Sequence, residues 1–186
     1  MRVLHVYAGN LYGGIESLLV TLAGRRGFCP AMEPSFALCF EGRLSAELRE
    51  QGVTVHKIGP TRFRHPWTIW SARRRLKSIL EGERLDVVIN HSCWSQAVFA
   101  PVVRSLSLTM VFWAHDLFTG RHLLERWAQW TRPTMVLANS RTTETSLTHH
   151  FPGVPREVLY LPVAPTEPGA AEADIQRQND DLERTR

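Results

Sequence analysis

The chain has 186 residues, 44% of them apolar and 22% charged, with a formal net charge of +4; this is long enough for a large core and ordinary for a globular domain. No apolar run approaches the ~20 residues that a membrane-spanning helix needs. The moderately basic balance falls well short of the dense basic stripe of a nucleic-acid binder.

The charge is uneven. Residues 166–186 carry six acids and three Arg, net −3, which leaves about +7 on the first 165. A body of that sign suits anionic ligands such as phosphates or acidic lipid headgroups. Of the 22 basic residues only Lys57 and Lys77 are lysines, a bias that reads as codon composition rather than function. Cys29, Cys39 and Cys93 are odd in number, widely spaced and without a CxxC pair. They read as buried thiols of a reducing cytoplasm, not as a disulfide frame or a zinc site.

The opening Met1-Arg2-Val3-Leu4-His5-Val6-Tyr7 lacks the apolar region and cleavage site of a signal peptide and reads as a first strand. Further runs rich in β-branched and aromatic residues follow at 35–40, 53–58, 85–90, 109–114, 134–139 and 158–163. Several are nearly continuous in apolar residues, as in strands covered on both faces. Helical periodicity fills the gaps: Ile15, Leu18, Leu19 and Leu22; then Leu44 and Leu48, closed by Gly52; then Ile69, Ala72, Leu76, Ile79 and Leu80; then 95–105, 117–130 and 141–149. This alternation predicts an α/β, doubly wound parallel sheet of Rossmann type. The domain spans 1–165. Beyond it, over 166–186, Pro168, Gly169 and the polar stretch to Arg186 read as a linker and the start of an interdomain helix.

In such a sheet, ligands bind beyond the carboxyl ends of the strands. The residues there are Gly9-Asn10-Leu11-Tyr12-Gly13-Gly14-Ile15-Glu16 after the first strand, His91-Ser92 after the fourth, His115-Asp116 after the fifth and Ser140-Arg141 after the sixth. Gly13-Gly14 opens a helix, where bare backbone, free amides and the helix dipole suit a phosphate. The alternative is a loop that merely needs positive φ to turn. The spacing of Gly9 and Gly13 is not GxGxxG, and Glu41 beyond the second strand lacks the fingerprint that a dinucleotide site requires before it. P-loop and GxSxG signatures are absent.

His115 ends an apolar strand, where a neutral imidazole suits contact with a hydroxyl or a developing charge; the alternative is a structural histidine bonded to a carbonyl. His91 carries the same two readings, and His149-His150 read as exposed. No His, Asp and Glu cluster has metal-site spacing. Arg62-Phe63-Arg64-His65-Pro66-Trp67 leads into a helix with Trp70, Arg73, Arg74, Arg75 and Lys77. That helix is either a weak anchor at an anionic membrane surface or a solvated face whose tryptophans pack inward.

Taken in order, Gly13-Gly14-Ile15-Glu16, Phe40-Glu41-Gly42-Arg43-Leu44 with Leu48 and Gly52-Val53, Trp113-Ala114-His115-Asp116 and Val136-Leu137-Ala138-Asn139-Ser140 resemble the amino-terminal half of family 4 retaining glycosyltransferases of the GT-B fold, over about 1–165. The resemblance implies the acceptor-binding half of a two-domain enzyme that moves a sugar from a nucleotide-sugar donor to a sugar, lipid-linked or small-molecule acceptor. His115 is implied as catalytic, and Gly13, Gly14 and Glu16 as donor-binding. Asn10, Tyr12, His91, Ser92, Asp116, Ser140 and Arg141 are implied on the acceptor side. No cofactor or metal is expected, with positive groups and helix dipoles stabilising the leaving diphosphate. The missing carboxyl-terminal donor-binding domain is the expected partner, and the cytoplasm, at most peripheral to the inner membrane face, the expected location. Alternatives are a stand-alone, non-catalytic glycan- or partner-binding module and, against the failed fingerprint, a flavodoxin-like or NAD-binding domain.

Overall fold

A computed structural model describes residues 1–9 and 12–161. Seven strands form one fully parallel sheet: β1 (Arg2–Tyr7), β2 (Glu33–Leu38), β3 (Thr54–Lys57), β4 (Val87–His91), β5 (Thr109–Ala114), β6 (Met135–Ala138) and β7 (Arg156–Val158), in the order β3-β2-β1-β4-β5-β6-β7. Six helices connect them: α1 (Gly14–Gly24), α2 (Arg43–Glu50), α3 (Pro66–Gly82), α4 (Ser92–Ser105), α5 (Leu123–Gln129) and α6 (Arg141–Leu147). The doubly wound parallel sheet expected from the alternation is the fold observed.

The helix starts follow from local chemistry. Glu16, third in α1, turns its carboxylate back to accept the Gly13 N–H at 2.9 Å, and Ser45 accepts that of Gly42 at 3.0 Å. Pro66 occupies the first position of α3, where a missing N–H costs nothing. Ser140 caps α6 by accepting the Thr143 N–H at 3.1 Å.

Strand residues alternate between two buried faces. Leu4, Val6, Ala37 and Val88 pack with Ala72, Leu76 and Phe99 of α3 and α4. On the opposite face Phe36 and Leu38 pack with Leu19 of α1 and Leu48 of α2. A third cluster joins Phe112, Val136 and Ala138 to Ala128, Leu147 and Phe151.

Several expectations change. The last strand, expected over 158–163, lies at Arg156–Val158. The helix expected over 117–130 begins only at Leu123, because Gly120 turns the chain at φ +72° and Glu125 holds the preceding loop. Its carboxylate accepts the N–H groups of Thr119 and His122 at 3.2 and 3.3 Å and the Thr119 hydroxyl at 2.9 Å. Of the three cysteines, Cys39 is buried and Cys93 half-buried, but Cys29 is exposed, since it closes a short 3-10 turn on the surface. The expected linker over 166–186 lies outside the described residues.

Candidate active site

The chain leaves β1 toward β2 and β3 on one side and later returns through α3 to β4 on the other. The crevice between the carboxyl ends of β1 and β4 is therefore the switch point where an open parallel sheet binds ligands. The loop after β1, the start of α4, and the loops after β5 and β6 all emerge at this edge.

Gly9 supplies the only positive φ described in the first loop, +75°, where a side chain is strained. Gly13 is extended, φ −164°, so positive φ does not explain the glycine pair. Nor does crowding within the chain: a Cβ on Gly13 would meet only a Glu16 carboxylate oxygen at 3.7 Å, and one on Gly14 nothing within 4 Å. The surface above this helix start is open backbone. Glu16, expected as a donor contact, is buried at 2% exposure; its Oε2 accepts the Gly13 amide and so shapes the loop, and its Oε1 is buried without a partner. Tyr12 is half-exposed; its hydroxyl donates to Glu47 and the Arg43 guanidinium lies 3.9 Å above its ring centroid. Asn10 lies outside the described residues.

The loops after β4 and β5 are joined by their histidines. His115 sits just beyond β5, its ring 5.5 Å from that of Trp113 and 5.4 Å from that of His91. Its Nε2 is 3.1 Å from His91 Nδ1, while its Nδ1 and Trp113 Nε1 are buried without a hydrogen-bond partner. Native proteins leave few such groups. Burial pulls the pKa of His115 down to about 4, so the ring is neutral at pH 7. His115 borders a cavity of about 180 Å³ with Cys93, Asp116, Phe118 and Glu125. Burial first, and the Glu125 and Asp116 charges second, push the Cys93 thiol up to about 12, far from a thiolate nucleophile.

His91, expected on the acceptor side, is fully buried. Both its ring nitrogens face other histidines, so no direct acceptor contact is open to it. Ser92 opens α4 at φ +70° and borders a second cavity, of about 440 Å³, with Tyr7, Thr61, Arg62 and Trp94. The Ser140 hydroxyl is engaged as the α6 cap, whereas the exposed Arg141 side chain begins that helix. Asp116 is exposed. Among the described residues, no group of three or more His, Cys, Asp or Glu could hold a metal ion.

Three further residues contribute that were not expected as site residues. His5 and Trp113 look like strand fillers until the register places them beside His91. Asn139 ties the β6 loop to the β5 loop, donating from Nδ2 to the His115 carbonyl at 2.8 Å and accepting from Thr143 at 2.8 Å.

Several solved structures share this fold. The lipopolysaccharide outer core galactosyltransferase WaaB, in its apo form, aligns with a TM-score of 0.71 at 15% identity, over 88% of this chain and 46% of its own. Anabaena HepE, in complex with UDP-glucose, aligns at 0.67 with 16% identity over 98% and 50%. A UDP-N-acetylglucosamine 2-epimerase aligns at 0.63 with 13% identity over 80% and 44%. At these identities the likeness establishes the fold alone, and the chain spans about half the length of each protein. No curated protein sequence matches it. The family model described as Glycosyltransferase Family 4, however, matches residues 12–167, most of the chain, and the chain therefore belongs to glycosyltransferase family 4.

Proposed function

We propose that this domain is the acceptor-binding half of a retaining, metal-independent glycosyltransferase, active only when a donor-binding domain closes over the carboxyl edge of its sheet. The observation that carries this reading is the pairing of open backbone at Gly13-Gly14 with unpartnered polar atoms on Trp113 and His115 at the same edge. A nucleotide sugar suits that pairing. The Gly14 helix start accepts a phosphate, and a neutral imidazole at His115 touches the transferred sugar.

The acceptor, a glycan or lipid-linked sugar, enters beside Ser92, Tyr12 and Asp116. The leaving diphosphate is stabilised by the α1 dipole together with basic groups of the second domain. WaaB is a galactosyltransferase and HepE holds UDP-glucose, which supports a nucleotide-sugar donor here. The cytoplasm, where nucleotide sugars are used, is the proposed location. Peripheral membrane contact through α3 fits a lipid-linked acceptor. No described helix is long and apolar enough to cross a membrane.

The test is to incubate a panel of nucleotide sugars with this chain alone and with the chain joined to a donor-binding domain, and to follow nucleotide release. Turnover only in the second case supports the proposal. Robust turnover by the 186 residues alone overturns it.

A further inference from the structure

Three histidines form a diagonal on one face of the sheet. His5 on β1 pairs opposite Ile89 on β4, and His91 lies two residues further along β4. His91 pairs opposite Trp113 on β5, and His115 lies two residues beyond that. Each step moves one strand across and one same-face position toward the carboxyl edge. Such diagonal neighbours are within reach of ring side chains. The rings meet accordingly: His5 Nδ1 is 2.9 Å from His91 Nε2, and His91 Nδ1 is 3.1 Å from His115 Nε2. Adjacent ring centroids lie 5.2 and 5.4 Å apart.

A neutral imidazole carries one donor and one acceptor nitrogen. Because both nitrogens of His91 are engaged, only two proton orders satisfy both contacts. In one, every ring carries its proton on Nδ1: His5 donates to His91, His91 donates to His115, and His115 Nδ1–H points out of the chain of rings. In the other, every proton is on Nε2 and every donation runs the opposite way. Passing from the second order to the first takes one proton in at His115 Nδ1, one hop along each hydrogen bond, and one proton out at His5 Nε2.

The two ends differ. His5 is 2% exposed, stacked 5.1 Å from Phe36, and its Nε2 has no partner. His115 borders the cavity of about 180 Å³. His115 Nδ1 is also buried without a partner, so either order leaves one N–H unmatched. Because an orphaned buried N–H is rarer than an orphaned acceptor, the N–H belongs at the end beside the cavity, where a ligand can match it, and the bare nitrogen at the enclosed His5 end. Burial keeps all three rings neutral at pH 7.

We propose that His5 and His91 are positioning residues that hold His115 as its Nδ1–H tautomer, so that it offers a donor to an acceptor oxygen of the ligand. This rests on the reading of His115 as part of the transferase site.

The test is long-range proton–nitrogen correlation NMR on the 15N-labelled chain at pH 7.5, where bare and protonated imidazole nitrogens are well separated. The expected result is Nδ1–H at all three rings. His5→Phe, which keeps an aromatic ring but removes the donor, is expected to turn the single His115 tautomer into a mixture. His5→Asn, whose side-chain amide falls near the lost Nδ1, is expected to restore it. Nε2–H at His115 in the native chain, or an unchanged His115 tautomer in His5→Phe, overturns the proposal. The native spectrum alone decides if His5→Phe does not fold. A fixed Nδ1–H tautomer combined with undiminished transfer by His115→Ala in the complete enzyme overturns instead the site reading beneath it.

Discussion

His91 Nδ1 lies 3.1 Å from His115 Nε2, so the histidine at the mouth of the site is held from below by one that no solvent reaches. That link makes His115 part of the sheet rather than of a loop, and preorganised groups of this kind are what transferases need where charge develops.

Burial of the three imidazoles predicts a stability that depends on pH. His5 and His115 have pKa values of about 4 in the folded chain against about 6.5 unfolded. Below pH 6.5 the unfolded chain binds protons that the folded chain does not. Their contribution is therefore complete above pH 6.5 and is lost as pH falls toward 4. Each ring adds a slope of about 1.4 kcal/mol per pH unit across that window. Urea unfolding at pH 7, 6 and 5 should show His5→Phe with a slope shallower by about that amount. An unchanged slope would show that His5 is protonated in the folded state.

The glycines of the first loop should separate stability from function. Gly9→Ala places a side chain at φ +75° and is expected to cost about 1–2 kcal/mol. Gly14→Val adds a Cβ that meets nothing within 4 Å, so stability should stay within about 0.5 kcal/mol. Displacing a bound phosphate by about an ångström there should nevertheless reduce transfer on the order of 10²-fold. A Gly14→Val enzyme with native turnover would remove the loop from the donor site.

Much of this was legible in the residues. Six strand–helix alternations announced the sheet because buried parallel strands are continuous in apolar residues, and the edge residues followed from topology. The diagonal of histidines was not legible. His5 and His91 stand 86 residues apart, and only the β1–β4 register, which local periodicity does not encode, brings their rings to 2.9 Å. The shorter α5 was hidden for a similar reason: the apolar period runs through Leu117, yet the Glu125 carboxylate gathers Thr119 and His122 into a loop. Gly13 and Gly14 were visible as glycines, but their openness belongs to the packed structure.

On α3, Trp67 and Trp70 are 65% and 64% exposed, contrary to an inward-packed face, and Arg74 lies 5.6 Å from the Trp70 ring centroid. Of the basic residues expected at a membrane, Arg73 turns inward and donates to the Val98 carbonyl at 2.6 Å. Arg74, Arg75 and Lys77 stay exposed, Arg75 reaching the Ile58 carbonyl at 3.5 Å and Lys77 pairing with Glu81 at 3.6 Å. Weak binding to anionic vesicles is expected, lost in Trp67→Ala/Trp70→Ala. Sedimentation with vesicles at rising salt checks it. Binding that persists at about 1 M salt, where the Debye length is ~3 Å, would contradict an electrostatic anchor.

The most direct test of the central claim is sugar transfer by the complete enzyme carrying His115→Ala. If His115 touches the transferred sugar, turnover should fall on the order of 10²-fold or more, as for loss of one preorganised stabilising group. The circular dichroism spectrum should meanwhile stay native. Turnover equal to that of the unsubstituted enzyme, from a variant that folds, would contradict it.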